Sequence, residues 1–252
     1  MSAITLGLIA AFAWAFHDIC VRRVSQKTPL MAALLTVLIV ALTFQLGVMG
    51  VTDTFAPIAP KAVWIAVLSG ALFLMASLGL YGAFQRGPVR LVAPIIASYP
   101  VLSVIWAVLR GAQISWFQWA AVLLIIVGVS LVAALADHGR EKAPSKGPTI
   151  LLSIMAAVGF AGTFALGQYA AEISGFMPVT MVTRIVAIIL LVAGMAVLRL
   201  PFWPVRRAVV VLFAMGIADG IALMSVLSAS GLPDAQYAAV AASSFGLLTI
   251  VL

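Results

Sequence analysis

Asp219 stands near the middle of an otherwise apolar run, Ala208 to Leu227, with Gly216 and Gly220 flanking it at GxxxG spacing. If that run crosses a bilayer, a carboxylate at its centre costs about 2.5 to 3.5 kcal/mol and must face a cavity or a partner. It reads as a proton-coupling group, as a site for a substrate amine, or as one half of a structural pair. The two glycines would let another helix approach closely. Arg184, within the run Val179 to Leu198, is the natural partner. Alternatively it holds a substrate carboxylate or phosphate by a bidentate contact, or snorkels to headgroups.

Other polar groups sit in similar company. His17 and Asp18 lie near the end of the first apolar run, one turn before Arg22 and Arg23. They read as a gate or proton relay at the inner mouth, or as an interfacial cap. Ser98 and Tyr99 stand in the fourth run between Pro94 and Pro100, which break its hydrogen-bond ladder, and Ser243 and Ser244 hold the repeat-equivalent positions in the ninth. Hydroxyls at broken helices either meet a solute or serve helix packing. Trp14 and Tyr99 would give a cavity aromatic walls. Trp64, Trp116 and Trp203 sit near run ends and read as interface anchors.

Much chemistry is excluded. There is no P-loop and no HExxH, and two separated histidines with the single Cys20 make neither a metal site nor a disulfide. The sequence therefore points to no enzyme, no cofactor and no metal. The net charge of +7 comes from Lys and Arg beside apolar runs, without interleaved aromatics. Membrane lipids, not nucleic acid, are the expected partner.

The elements that position these residues are nine apolar runs: Ile4–Val21, Leu30–Gly50, Val63–Phe84, Leu91–Leu109, Trp116–Ala136, Ile150–Tyr169, Val179–Leu198, Ala208–Leu227 and Gln236–Leu252. Hydrophobic residues make up 65% and charged residues 8%, and mean hydropathy is +1.24. At about 1.5 Å per residue, roughly 20 residues cross a hydrocarbon core, so the runs predict an all-α, multi-pass membrane bundle. Unbroken apolarity argues against a β-barrel. The first run is followed by Arg22 and Arg23, not by a small-residue cleavage site, and reads as a retained span.

Eleven of the 14 Lys and Arg residues fall in the loops after runs one, three, five and seven. That face is predicted to be cytoplasmic, with the N-terminus outside. A shift of 145 residues brings Pro88 onto Pro233, Ala97 onto Ala242, Ser98 onto Ser243 and Leu102 onto Leu247. Matching loops carry opposite charge bias, as two inverted five-helix halves require. The expected division is residues 1–136, a cytoplasmic linker 137–148, and a second repeat 149–252. The counterpart of the fifth run falls past Leu252, so the second half is expected to lack its last helix in this sequence.

Trp14, the segment Ala97-Ser98-Tyr99-Pro100-Val101-Leu102, and Gln118-Trp119 followed by Gly128 resemble the drug/metabolite transporter superfamily, and within it the family of two EamA domains. The sequence reads Gly111-Ala112-Gln113 where members often have a Gly-Glu-Arg turn. The resemblance implies a ten-helix fold in two inverted halves around a central cavity. It also implies alternating-access transport of a small solute such as an amino acid, as export, with proton coupling through Asp219, in a bacterial inner membrane. A flippase for a lipid or lipid-linked sugar is the alternative, and a non-transporting membrane scaffold a further one. Oligomeric state is left open.

Overall fold

The computed structural model describes residues 1–111, 113–135 and 146–251, and every regular element in them is helical. Among the described residues six helices are long and apolar enough to cross a membrane: α1 (Ala3–Val24), α2 (Leu30–Thr52), α3 (Pro60–Arg86), α7 (Lys146–Ser174), α8 (Phe176–Val197) and α9 (Val209–Ser228) together with the 3-10 turn Arg206–Ala208 that leads into it. The three further apolar runs form α4 (Val89–Ile96) with α5 (Tyr99–Leu109), α6 (Trp116–Leu135), and α10 (Gln236–Ala242) with α11 (Phe245–Val251). Most of the expected linker lies outside the described residues; its end, Lys146 to Pro148, is the first turn of α7. Proline is well tolerated there, since first-turn N–H groups have no intrahelical acceptor.

The fourth and ninth runs each break into two short helices, at Ala97–Ser98 and at Ser243–Ser244. The first break lies between Pro94 and Pro100, which remove backbone donors. No proline lies within the second. Instead the Ser243 and Ser244 hydroxyls donate to the carbonyls of Val240 and Ala241, both at 2.7 Å, as Ser98 does to Ile95. Each of these carbonyls also accepts a backbone N–H, so the hydroxyls are second donors at the interrupted turns.

Helices before residue 136 pack chiefly on helices after 145. Thus α3 lies against α7 and α8, α1 against α9, α10 and α11, and α2 against α8 and α9. Small residues set the separation. A Cβ on Gly79 of α3 would stand 2.6 Å from the Leu152 carbonyl of α7, and one on Gly159 of α7 would stand 2.8 Å from backbone atoms of Leu72 and Ala76. Gly216 and Gly220 of α9 press on Val40 and Phe44 of α2 in the same way. Without a hydrophobic drive between helices in lipid, such close backbone approach supplies the packing attraction. The outward surface remains apolar, with Phe12, Leu124, Ile189 and Val210 all exposed, as a lipid-facing bundle requires. Trp64, Trp116 and Trp203 are also exposed.

Candidate functional site

Asp219 and Arg184 form a buried pair. The Arg184 Nη1 donates to Asp219 Oδ2 at 2.5 Å, and Nη2 donates to the Asp219 backbone carbonyl at 2.9 Å. The second carboxylate oxygen, Oδ1, accepts from Trp14 Nε1 at 3.1 Å. Arg184 is 0% exposed and its guanidinium lies over the Phe73 ring, 5.3 Å from the centroid. Three helices, α1, α8 and α9, are thereby tied at one carboxylate, and neither Asp219 oxygen is left without a donor.

Asp18 differs. His17 and Asp18 of α1 are both buried and line the central cavity. The helix continues past them to Val24. The carboxylate only accepts, so His17 Nδ1–H donates to Asp18 Oδ1 at 2.9 Å. The Tyr81 hydroxyl meets His17 Nε2 at 3.0 Å. The other oxygen, Asp18 Oδ2, is buried with no hydrogen-bond partner among the described residues. An unpartnered carboxylate oxygen in a low-dielectric interior is costly, and calls for a cation or a proton beside it.

The cavity between these groups is walled by aromatic rings: Trp14, Phe73, Tyr81, Tyr99, Phe160, Phe164 and Phe245. Phe160 and Phe164 stack with centroids 5.8 Å apart, Trp14 lies 5.4 Å from Phe164, and Tyr99 meets Phe164 edge-on at 5.3 Å. The space left between these side chains holds about one water molecule. The cavity is closed around anything larger. Tyr99, fully buried, donates its hydroxyl to the Ala239 carbonyl at 2.7 Å and so links the break after α4 to the helix before the second break.

A second, open cavity lies on the far side of Phe164, lined by Ser103, Trp106, Arg110, Gln168, Glu172 and Gln236 among others. Arg110 and Glu172 pair across its rim at 3.2 Å, and Arg110 stacks 4.1 Å from the Tyr169 centroid. Phe164 is the shared wall of the two spaces.

Of the residues singled out in the sequence, Asp219, Trp14, Tyr99, His17 and Asp18 line the central cavity, and Arg184 stands behind Asp219. Ser98, Ser243 and Ser244 do not line it; their hydroxyls are taken up by their own helices. Sequence reasoning missed Tyr81, Phe73, Phe160, Phe164 and Phe245. The four-residue spacing of Phe160 and Phe164, which puts both on one helix face, was the available signal. Among the described residues no cluster of His, Cys, Asp and Glu could hold a metal.

Comparison with known proteins agrees with this architecture. No protein of curated function matches the sequence. A solved crystal structure of another protein, 18% identical, superimposes with a TM-score of 0.75 over 99% of this chain and 85% of that one, so the fold is shared. The family model of the EamA-like transporters matches residues 1–134, just over half of the sequence. The protein is therefore an integral membrane transporter of the drug/metabolite type, not an enzyme, and it belongs to the EamA-like transporter family.

Proposed function

We propose that this chain is a secondary transporter that moves a small, amine-bearing metabolite through the central cavity by alternating access. The observation that carries the reading is the uncommitted Asp18 Oδ2 beside a cavity walled by seven aromatic rings. An ammonium group suits that oxygen, and aromatic faces attract a cation further when water is excluded. Between solutes a proton takes the same position, which couples solute movement to a proton gradient. His17 and Tyr81 orient the Asp18 carboxylate, and Asp219 with Arg184 holds Trp14 at the wall.

The two broken runs support an inverted-repeat mechanism, because their interruptions recur within one residue of the 145-residue shift. The closed cavity corresponds to an occluded stage, from which rocking of one half against the other opens either side. The Lys and Arg bias supports placing the N-terminus outside.

The test is counterflow in proteoliposomes loaded with a panel of amines, amino acids, nucleosides and sugars. Saturable exchange of amine-bearing solutes, lost in Asp18→Asn, is the expected result. Exchange confined to sugars or anions, or unchanged exchange in Asp18→Asn, would overturn the reading.

A further inference from the structure

On the basic face a groove of about 840 Å³ runs between the outer side of α2 and the segment joining α8 to α9. Its walls are apolar, formed by Leu35, Ile39, Val40 and Val209, and its mouth carries Trp203 and Arg206. Trp203 is 83% exposed and stands where an interfacial tryptophan meets headgroups. Among the described residues Arg206 has no acidic side chain within ion-pair distance. Among the described residues the carboxylates are either buried, as Asp18 and Asp219 are, or lie in and beside loops of the opposite face, as Asp53, Glu172 and Asp234 do.

We propose that this groove is a binding site for an anionic phospholipid, with one acyl chain along the α2 wall and the phosphate on Arg206. An apolar, membrane-facing groove excludes water and is filled by hydrocarbon. The guanidinium then selects the head: a phosphate offers it a bidentate contact. A zwitterionic headgroup brings an ammonium that finds no carboxylate among the described residues lining the groove, only Arg206 itself. A docked apolar helix of another protein would fill the walls but leave Arg206 without an anion, so a lipid fits both halves of the site. A basic residue near the membrane surface favours an anionic lipid by about fivefold.

The site also has a route to the transport cavity. On α2, Leu35, Ile39 and Val40 face the groove while Leu34, Val37 and Leu38 face the central cavity. A bound chain therefore braces the reverse side of a cavity wall, and lipid identity becomes a control on how readily that wall moves.

The experiment uses delipidated protein in detergent, titrated with phosphatidylglycerol, phosphatidylcholine or glycerol 3-phosphate. Melting temperature and the number of lipids retained in native mass spectrometry are read together. Phosphatidylglycerol is expected to raise Tm saturably and to stay bound as one molecule, phosphatidylcholine to act about fivefold more weakly, and glycerol 3-phosphate to do nothing. Arg206→Gln should abolish the difference between the two lipids, and Ile39→Trp, at an exposed position that fills the groove, should weaken both. Equal effects of the two lipids on the unaltered protein, persistence of the preference in Arg206→Gln, or full stabilisation by glycerol 3-phosphate alone would each overturn the proposal.

Discussion

Arg184 holds Asp219 by two contacts at once, one to the carboxylate and one to the backbone carbonyl of the same residue. The pair is thus fixed to the α9 backbone as well as to a side chain. Breaking a buried pair strands a charge and costs about 3 to 5 kcal/mol, whereas apolar replacement of both partners is often neutral. Arg184→Gln is expected to lower the melting temperature sharply in detergent, and Arg184→Met with Asp219→Leu to recover most of the loss. A double variant no more stable than the single would contradict this.

The Arg110–Glu172 pair provides the contrast. Both side chains are 38% exposed, and such pairs contribute about 0 to 1 kcal/mol. Arg110→Gln should leave Tm nearly unchanged and should make it insensitive to salt at this position; a loss comparable to that of Arg184→Gln would mean that the rim pair is structural.

Asp18→Asn keeps the shape of the side chain while removing its charge. Folding and monodispersity should be retained, and uptake of an amine driven by a pH gradient should be lost. Asp219→Asn, by contrast, should show its main defect in stability, because it weakens the contact to Arg184. If Asp219→Asn is stable and only its pH dependence is gone, the coupling role belongs to Asp219 instead.

Gly159→Val tests the close approach of α3 and α7. The added Cβ meets backbone, which cannot move aside as a flexible side chain would, and overpacking of this kind costs about 1 to 3 kcal/mol or more. Aggregation or loss of the monodisperse peak in detergent is expected. The same change at Gly194, whose Cβ would meet nothing within 4 Å, should be harmless.

Tyr99→Phe removes one buried hydrogen bond while the Ala239 carbonyl keeps the Ser243 amide, a cost of about 0.5 to 1.5 kcal/mol. Amide exchange in α10 should quicken while that in α3 is unchanged. Uniform acceleration throughout the bundle would instead indicate global destabilisation.

The helices were legible because length and continuous apolarity specify a bilayer-crossing segment almost without reference to tertiary structure. Arg184 and Asp219 were legible as partners for a similar reason: each is too costly in hydrocarbon to stand alone. The break after Ala97 was signalled by Pro94 and Pro100, but Ser243 and Ser244 look like ordinary small residues, and only their back-bonded hydroxyls explain the second break. Tyr81 could not be read, since a tyrosine in an apolar helix is as well suited to packing as to holding a histidine. The aromatic cavity is assembled from α1, α3, α5, α7 and α11, and no local pattern records that assembly.

The separation of 35 residues between Arg184 and Asp219 also has a bearing on biogenesis. As the chain is synthesised, α8 emerges carrying a guanidinium whose counter-ion has not yet been made, and a lone arginine at mid-membrane opposes insertion by about 2.5 to 3.5 kcal/mol. Entry of α8 and α9 together, as a hairpin, offsets that cost by bringing Asp219 to Arg184. Trp14, the earlier-made of the two partners of Asp219, waits across a separation of 205 residues for the carboxylate it binds.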